Sequence, residues 1–136
     1  MINQIFLEDF IASMKPESFS FKNLRGIDRW ESWSPIRVGW TDVGAPTVTG
    51  LLHVVGQQCF FQVEVIPFTS VATVAGTSYI ELPIAAQGLC GDGSMVNAAT
   101  LVAIGNCAFD VANSRVYVPA QIATGDTLTI GGWFEI

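Results

Sequence analysis

The sequence predicts an all-β fold, an antiparallel sandwich of the jelly-roll kind, with a short helix and an arm at its N-terminus. Three observations predict the sandwich. Apolar and polar residues alternate over short runs, which is typical of half-buried strands. Turn-forming Gly, Asn and Asp separate these runs. About eight such runs recur along 136 residues, and many short, evenly spaced strands favour a sandwich or barrel.

The first sixteen residues predict a helix that Pro16 ends. Its apolar stripe, at three- and four-residue spacing, consists of Ile2, Ile5, Phe6, Phe10, Ile11 and Met14. A helix this short is marginal alone in water, so we expect the stripe to dock on another surface. The following residues, up to Trp33, mix aromatic and charged side chains without a period and predict an irregular arm. We therefore divide the chain into an attachment arm, 1–32, and a sandwich, 33–136.

Alternation is clearest before Pro67. Cys59, Phe61, Val63 and Val65 share one face of the predicted strand, and Phe60, Gln62, Glu64 and Ile66 share the other. Further strands are predicted near 36–42, 48–55, 78–82, 100–105, 107–111, 115–118 and 126–136. The predicted turns are Gly56-Gln57, Ala75-Gly76, Gly91-Asp92-Gly93, Gly105-Asn106, Ala112-Asn113-Ser114 and Gly125-Asp126.

In the last predicted strand, Trp133 falls on the outer face. The core positions there are Leu128, Ile130, Phe134 and Ile136. An outward Trp is typical of a subunit interface or of a platform on which a sugar stacks. We regard both roles as open, with the interface favoured because so little charge surrounds this residue.

Charge is distributed unevenly along the chain. The segment 1–37 carries five bases and five acids, whereas 38–136 carries seven acids and one base, Arg115. Charged residues make up 13% of the chain, against about a quarter in ordinary soluble domains. A surface this poor in charge is expected to be covered by other subunits. The sequence therefore predicts an assembly.

The same charges exclude two partner classes. The net charge is −6, and the β-rich part has no basic patch to neutralise phosphates, so we expect neither nucleic acid nor an anionic membrane surface as a partner. No apolar run approaches the ~18 residues that span a membrane. The N-terminus also lacks the pattern of a signal peptide, so export by that route is not expected.

Cys59, Cys90 and Cys107 are odd in number and have no CxxC spacing. Buried free thiols are the favoured state, and a Cys90–Cys107 bridge remains an alternative. Four zinc ligands of the usual kind are not available. We predict no metal site and no cofactor.

Catalysis is not expected. His53 is the one histidine, and any Ser–His–Asp or Cys–His site would need it; a surface or interface His is the favoured interpretation. Glu64 and Glu81 occur mid-strand, and the remaining acids of the β-rich part occur mainly at turns. A glycan-cleaving carboxylate pair is thus a weaker alternative. We predict no catalytic residue.

Several segments resemble a β-sandwich module of bacteriophage fibre and virion proteins. They are Trp33-Ser34-Pro35, Val54-Val55-Gly56-Gln57-Gln58-Cys59-Phe60-Phe61-Gln62-Val63, Gly76-Thr77-Ser78-Tyr79-Ile80-Glu81-Leu82-Pro83, Asn113-Ser114-Arg115-Val116-Tyr117-Val118-Pro119 and Leu128-Thr129-Ile130-Gly131-Gly132-Trp133-Phe134-Glu135-Ile136. The resemblance covers 33–136 and implies a homotrimer that packs about an axis and often contacts the host. Such modules usually follow a long shaft, whereas here about 32 residues precede the module.

The sequence thus predicts a non-enzymatic structural protein of a phage virion, made in the bacterial cytoplasm. A trimeric tail fibre or tail-tip protein that binds a host surface glycan is the first hypothesis. A capsid decoration protein or head fibre is the alternative, and a polysaccharide-degrading enzyme is a third. The candidate residues for a subunit interface or glycan contact are Trp133, Tyr79 and His53. Those for attachment to tail or capsid proteins are Ile2, Phe6, Phe10, Arg25, Arg29 and Trp30.

Overall fold

The computed structural model describes residues 30–88 and 91–136. The helix expected before Pro16 lies outside these residues, as does nearly all of the arm. All regular elements of the described part are strands: β1 Glu31–Trp33, β2 Arg37–Val38, β3 Thr41–Val43, β4 Thr47–Val55, β5 Gln58–Ile66, β6 Ser70–Thr73, β7 Tyr79–Glu81, β8 Gly93–Asn97, β9 Val102–Asp110, β10 Arg115–Tyr117, β11 Gln121–Thr124 and β12 Leu128–Glu135. Across these two ranges, no helix is long and apolar enough to cross a membrane.

The strands form two antiparallel sheets. The larger has nine strands in the order β1-β4-β5-β12-β8-β9-β10-β7-β2, and the smaller has the order β11-β6-β3. β9 pairs with β8 along one part of its length and with β10 near its end. The large sheet thereby continues from its β4-β5-β12 half into its β10-β7-β2 half. The prediction of an all-β, antiparallel, sandwich-like fold is confirmed.

One core lies between these layers. It is formed by the side chains that alternation places inward on β5 and β12, together with residues from β6, β7, β8 and β10. Cys59, Val63 and Val65 are fully buried and Phe61 is 2% exposed, as predicted. The ring of Phe61 contacts those of Phe109 and Phe134 at centroid distances of 6.1 and 6.0 Å. These contacts join β5 to β9 and β12.

A single strand, β9, occupies the region for which two strands were predicted, so the predicted turn at Gly105-Asn106 is wrong. β9 runs through Gly105 from Val102 to Asp110. Its pairing with β8 shifts register, since Gly105 faces Met95 while Ala103 faces Val96. Ile104 is therefore the extra residue of a β-bulge, which bends a strand without ending it. A glycine there marks a bulge as readily as a turn.

The strand predicted over 36–42 is instead two short strands in different sheets. Gly39 separates them, with a φ of 81°, a left-handed conformation that strands do not adopt. β2 pairs with β7, and β3 pairs with β6. Four further strands, β1, β6, β8 and β11, were not predicted, because each is short and has little alternation of its own.

Ser78 holds the two sheets together at this corner. Its side chain is fully buried, accepts a hydrogen bond from the N–H of Val74 at 2.8 Å and donates one to the carbonyl of Gly39 at 2.7 Å. Its own carbonyl accepts from the N–H of Val118. One hydroxyl thus satisfies two backbone groups that would otherwise be buried unpaired.

Candidate functional site

Four ring-bearing side chains lie side by side on the outer face of the large sheet. Trp30 immediately precedes β1, and His53, Phe60 and Trp133 belong to β4, β5 and β12. In the strand register, His53 faces Phe60 and Phe60 faces Trp133. We call these four residues the aromatic row. Alternation explains their common face, because Phe61 and Phe134 beside them point into the core.

The rings of the aromatic row contact one another in tilted pairs. The centroids of Trp30 and His53 are 5.4 Å apart, with an angle of 50° between the ring planes. Those of Phe60 and Trp133 are 6.4 Å apart, at 38°. Trp30 is 45% exposed, and the other three rings are half-buried. The row therefore presents ring surface to solvent while its neighbours hold it in place.

The indole of Trp133 packs directly on the backbone of Gly91. The N–H of Gly91 donates to the carbonyl oxygen of Trp133 at 2.9 Å, so the two backbones are adjacent. A Cβ added at Gly91 would overlap the pyrrole part of the indole. The glycine therefore allows the ring to lie on the backbone at the end of the row.

One side of the aromatic row is bordered, on the same face, by small and neutral polar residues together with Leu51. The next row across the strands is Ser32, Leu51, Gln62, Gly131 and Ser94. The serines and Gln62 are exposed. They supply hydroxyl and amide groups that donate and accept hydrogen bonds without charge.

Trp30 and Trp33 do not act together. Their spacing in the sequence alone would allow the pair to hold a sugar or to form a hydrophobic hinge, but positions three residues apart along a strand lie on opposite faces. Trp33 packs on the inner side over Gly50, where a Cβ would lie 2.8 Å from its indole. Its Nε1 is buried without a hydrogen-bond partner. Only Trp30 reaches the aromatic row.

Tyr79 lies in the other half of the large sheet. Its ring is 5.2 Å from that of Tyr117, and the guanidinium of Arg115 lies 4.3 Å from its centroid. A hydrogen bond with Tyr117 is the largest cause that raises the pKa of Arg115. An open cleft of about 500 Å³ beside Tyr117 is lined mostly by alanine, glycine and proline. It offers few groups for chemistry.

The acids of the described part are dispersed. Asp42 forms a two-point ion pair with Arg37, at 3.0 and 2.9 Å. The Asn97 amide donates to Asp126 at 3.0 Å. Asn113 donates to Asp110 and is the largest cause that lowers the pKa of that carboxyl. Within 30–88 and 91–136, no cluster of three or more His, Cys, Asp or Glu could hold a metal ion.

Cys59 and Cys107 are free thiols. Burial raises the pKa of Cys59 to about 11 and that of Cys107 to about 12, so neither is an activated nucleophile. Cys90, the alternative partner of Cys107, lies outside the described residues. The attachment candidates Ile2, Phe6, Phe10, Arg25 and Arg29 do so too.

A second surface exposes large aliphatic and aromatic side chains. We call it the apolar end, and it consists of Val43 (51% exposed), Phe68 (76%), Leu101 (83%), Val102 (57%) and Ile122 (84%). The first four lie next to Thr69 and Asn97, which contact the turn that joins β11 to β12, and Ile122 lies on β11 before that turn. Gly125 in that turn approaches the carbonyl of Thr69, and the N–H of Ala98 donates to Thr127. The turn thus links the Phe68 segment to the Leu101 segment.

Comparison of the chain with family models, curated proteins and solved structures finds no match. The described geometry offers two surfaces. They are an aromatic row, bordered on one side by neutral polar groups, and an apolar end.

Phe60 was predicted to face outward but was not singled out as a functional residue. Its importance depends on register, which places it between His53 and Trp133. The sequence carries no direct signal for that register.

Proposed function

We propose that this chain is a non-enzymatic structural protein of a phage virion that self-associates through its sandwich and contacts the host surface. Two lines support the proposal. The first is the resemblance of 33–136 to phage fibre and virion modules. The second is the exposed apolar surface of the apolar end, which is typical of a subunit interface. In this proposal the assembly is a homotrimer of the tail-fibre or tail-tip kind, joined to the particle through the part of the arm that precedes Trp30, since β1 belongs to the large sheet.

The apolar end is the observation that carries the proposal. Phe68, Leu101 and Ile122 are each more than three-quarters exposed. Nearby acids have partners within the chain, since Asp42 pairs with Arg37 and Asp126 accepts from Asn97. Large exposed apolar patches mark interaction sites, and interface cores are depleted of charge. Second copies of this chain are the occupants we propose for this end.

The number three comes from the resemblance, and the apolar end explains why copies would associate. A closed trimer brings the same patch from three chains to one axis. The aromatic row lies on the outer face of β4, β5 and β12, away from the β11–β12 turn at the apolar end. This arrangement leaves the row for a different partner.

Native mass spectrometry of the full-length chain tests the assembly. We expect a mass of three chains. The double substitution F68S/L101S should shift the population to monomer, whereas V55S should leave the trimer intact. Val55 is a matched control because it is 42% exposed and lies at the end of the β4–β5 hairpin that is far from Phe68. A stable monomer in the unmodified protein, or a trimer that F68S/L101S does not weaken, would contradict the proposed interface.

Immunogold labelling of intact particles with antibody against 33–136 tests the position on the virion. Label at the tail tip is expected. Label spread over the head would instead favour the capsid decoration alternative. Release of reducing ends from capsular polysaccharide by the purified protein would contradict the non-enzymatic role.

A further inference from the structure

We propose that the aromatic row binds a neutral oligosaccharide chain, which lies across β1, β4, β5 and β12 with its sugar rings stacked on Trp30, Phe60 and Trp133. The inference names the ligand class of the host contact and in that respect rests on the proposed function. The binding site itself is argued from the described residues of one face.

The row has the dimensions of an extended ligand. Three of its members belong to the adjacent strands β4, β5 and β12, and Trp30 immediately precedes the next strand, β1. Adjacent strands lie about 4.8 Å apart. Three such steps separate Trp30 from Trp133, so the row extends about 14 Å. That length exceeds a single sugar ring and suits several linked sugars. The row runs across the strands, and the centroids of its two contacting ring pairs are 5.4 and 6.4 Å apart.

The rings are arranged to stack with a ligand. The tilts of 50° and 38° within the two pairs prevent face-to-face packing that would cover both ring surfaces. Aromatic faces carry negative charge density, which attracts the slightly positive C–H groups on the flat sides of a sugar. Packing on Gly91 fixes the position of the Trp133 indole before a ligand binds, which reduces the conformational entropy lost on binding.

Hydrogen-bonding groups lie beside the rings, where the edge of a stacked sugar would be. Ser32, Gln62 and Ser94 occupy the adjacent row and are exposed. Apolar surface with a few polar groups is the usual composition of a small-ligand site. Hydroxyl and amide groups match sugar hydroxyls because both donate and accept.

Charge favours a neutral sugar over an acidic one. Two acids lie on this outer face. They are Glu64 on β5 and Glu135, two residues after Trp133 on β12. The bases of the described residues are Arg37 and Arg115. Arg37 pairs with Asp42 on the β2–β3 side, and Arg115 lies on β10 against Tyr79. Among the described residues, neither arginine lies at the row, so the charges of this face favour a neutral chain over an anionic one.

The test begins with the full-length protein on an array that carries neutral oligosaccharides of glucose, galactose, rhamnose and N-acetylglucosamine beside sialic-acid and uronic-acid polymers. Binding to at least one neutral chain is expected, and calorimetry with that chain then gives Kd. The substitutions W133A and F60A should each raise Kd about tenfold or more, the effect of losing one stacking contact.

W30A is the third variant, because a residue at the sheet edge that is 45% exposed can be replaced without opening the core. It should also raise Kd. Y117L is the matched control, since it removes a ring from the other half of the large sheet, and it should leave Kd unchanged. Far-ultraviolet circular dichroism confirms that each variant is folded.

Three results would overturn the inference. They are binding to no neutral glycan, binding to anionic glycans alone, and a Kd in W30A, F60A and W133A that is the same as that of the unmodified protein. Glycan binding by a protein that does not form trimers would keep this site and refute the proposed assembly.

Discussion

The indole of Trp133 lies over the backbone of Gly91, and the Gly91 N–H donates to the Trp133 carbonyl at 2.9 Å. The contact ties the segment that precedes β8 to the outer face of β12. It also gives a large aromatic side chain on the outside of the sheet a defined position. This position requires glycine because the Cβ of any other residue would overlap the indole ring.

G91A should displace the Trp133 ring and destabilise the fold by about 1–3 kcal/mol, the usual cost of inserting a methyl group into a packed contact. The free energy of unfolding in urea measures the loss, and the tryptophan emission of the folded protein should shift. D92A, at the exposed neighbouring position, is the control and should change neither. An unaltered emission spectrum in G91A would contradict this packing.

Gly39 and Gly76 offer a matched pair of left-handed glycines, with φ of 81° and 78°. A Cβ at Gly39 would lie 2.6 Å from the carbonyl oxygen of Thr77, whereas a Cβ at Gly76 would meet nothing within 4 Å. G76A should cost about 1 kcal/mol through backbone strain alone. G39A should cost about 1–3 kcal/mol more because of the clash. Equal losses in thermal unfolding would refute the steric argument.

S78A should be strongly destabilising for a residue of its size. It would leave the N–H of Val74 and the carbonyl of Gly39 without their side-chain partner, inside a site from which water is excluded. Each unsatisfied group costs about 1–3 kcal/mol, so we expect a loss of about 2–4 kcal/mol in total. Ser94 is exposed, and S94A is expected to unfold at the same urea concentration as the unmodified protein.

Stability should fall at alkaline pH because of the two buried thiols. An ordinary cysteine has a pKa of 9.0, whereas the folded protein raises that of Cys59 to about 11 and that of Cys107 to about 12. The stabilising contribution is complete below pH 9, where both states hold the proton. It is lost as the pH rises towards the folded pKa values, because the unfolded thiols ionise first.

The double variant C59A/C107A tests this dependence. Its free energy of unfolding should fall less between pH 9 and pH 11 than that of the unmodified protein. Cys90 is present in both proteins, so its contribution cancels. Identical pH profiles would show that these thiols do not determine the alkaline loss.

Local patterns predicted the elements whose residues alternate strongly. The β5 sequence could have only one buried face, because Cys59, Phe61, Val63 and Val65 alternate with polar residues or residues found at the surface. The same reasoning placed Trp133 outside and Phe134 inside. It failed at Gly105, since a glycine in an alternating run has the same appearance whether the chain turns or bulges.

Short strands were missed for a different reason. β6 and β11 have four residues each, too few for a period to stand out. Their strand conformation depends on partners far along the chain, as when β6 pairs with both β3 and β11. Pairing of this kind is a tertiary effect, and propensity is a weak guide to it.

The sequence by itself determined an antiparallel all-β sandwich, the inward and outward faces of its longest strands, and a surface poor in charge. These follow from hydrophobic alternation and composition, which are local or additive properties. Tertiary structure decided that Trp30, His53, Phe60 and Trp133 meet, while Trp33 and Tyr79 lie elsewhere. Register decides such meetings, because a shift of one residue sends each side chain to the other face, and register is set by the whole network of strand pairs.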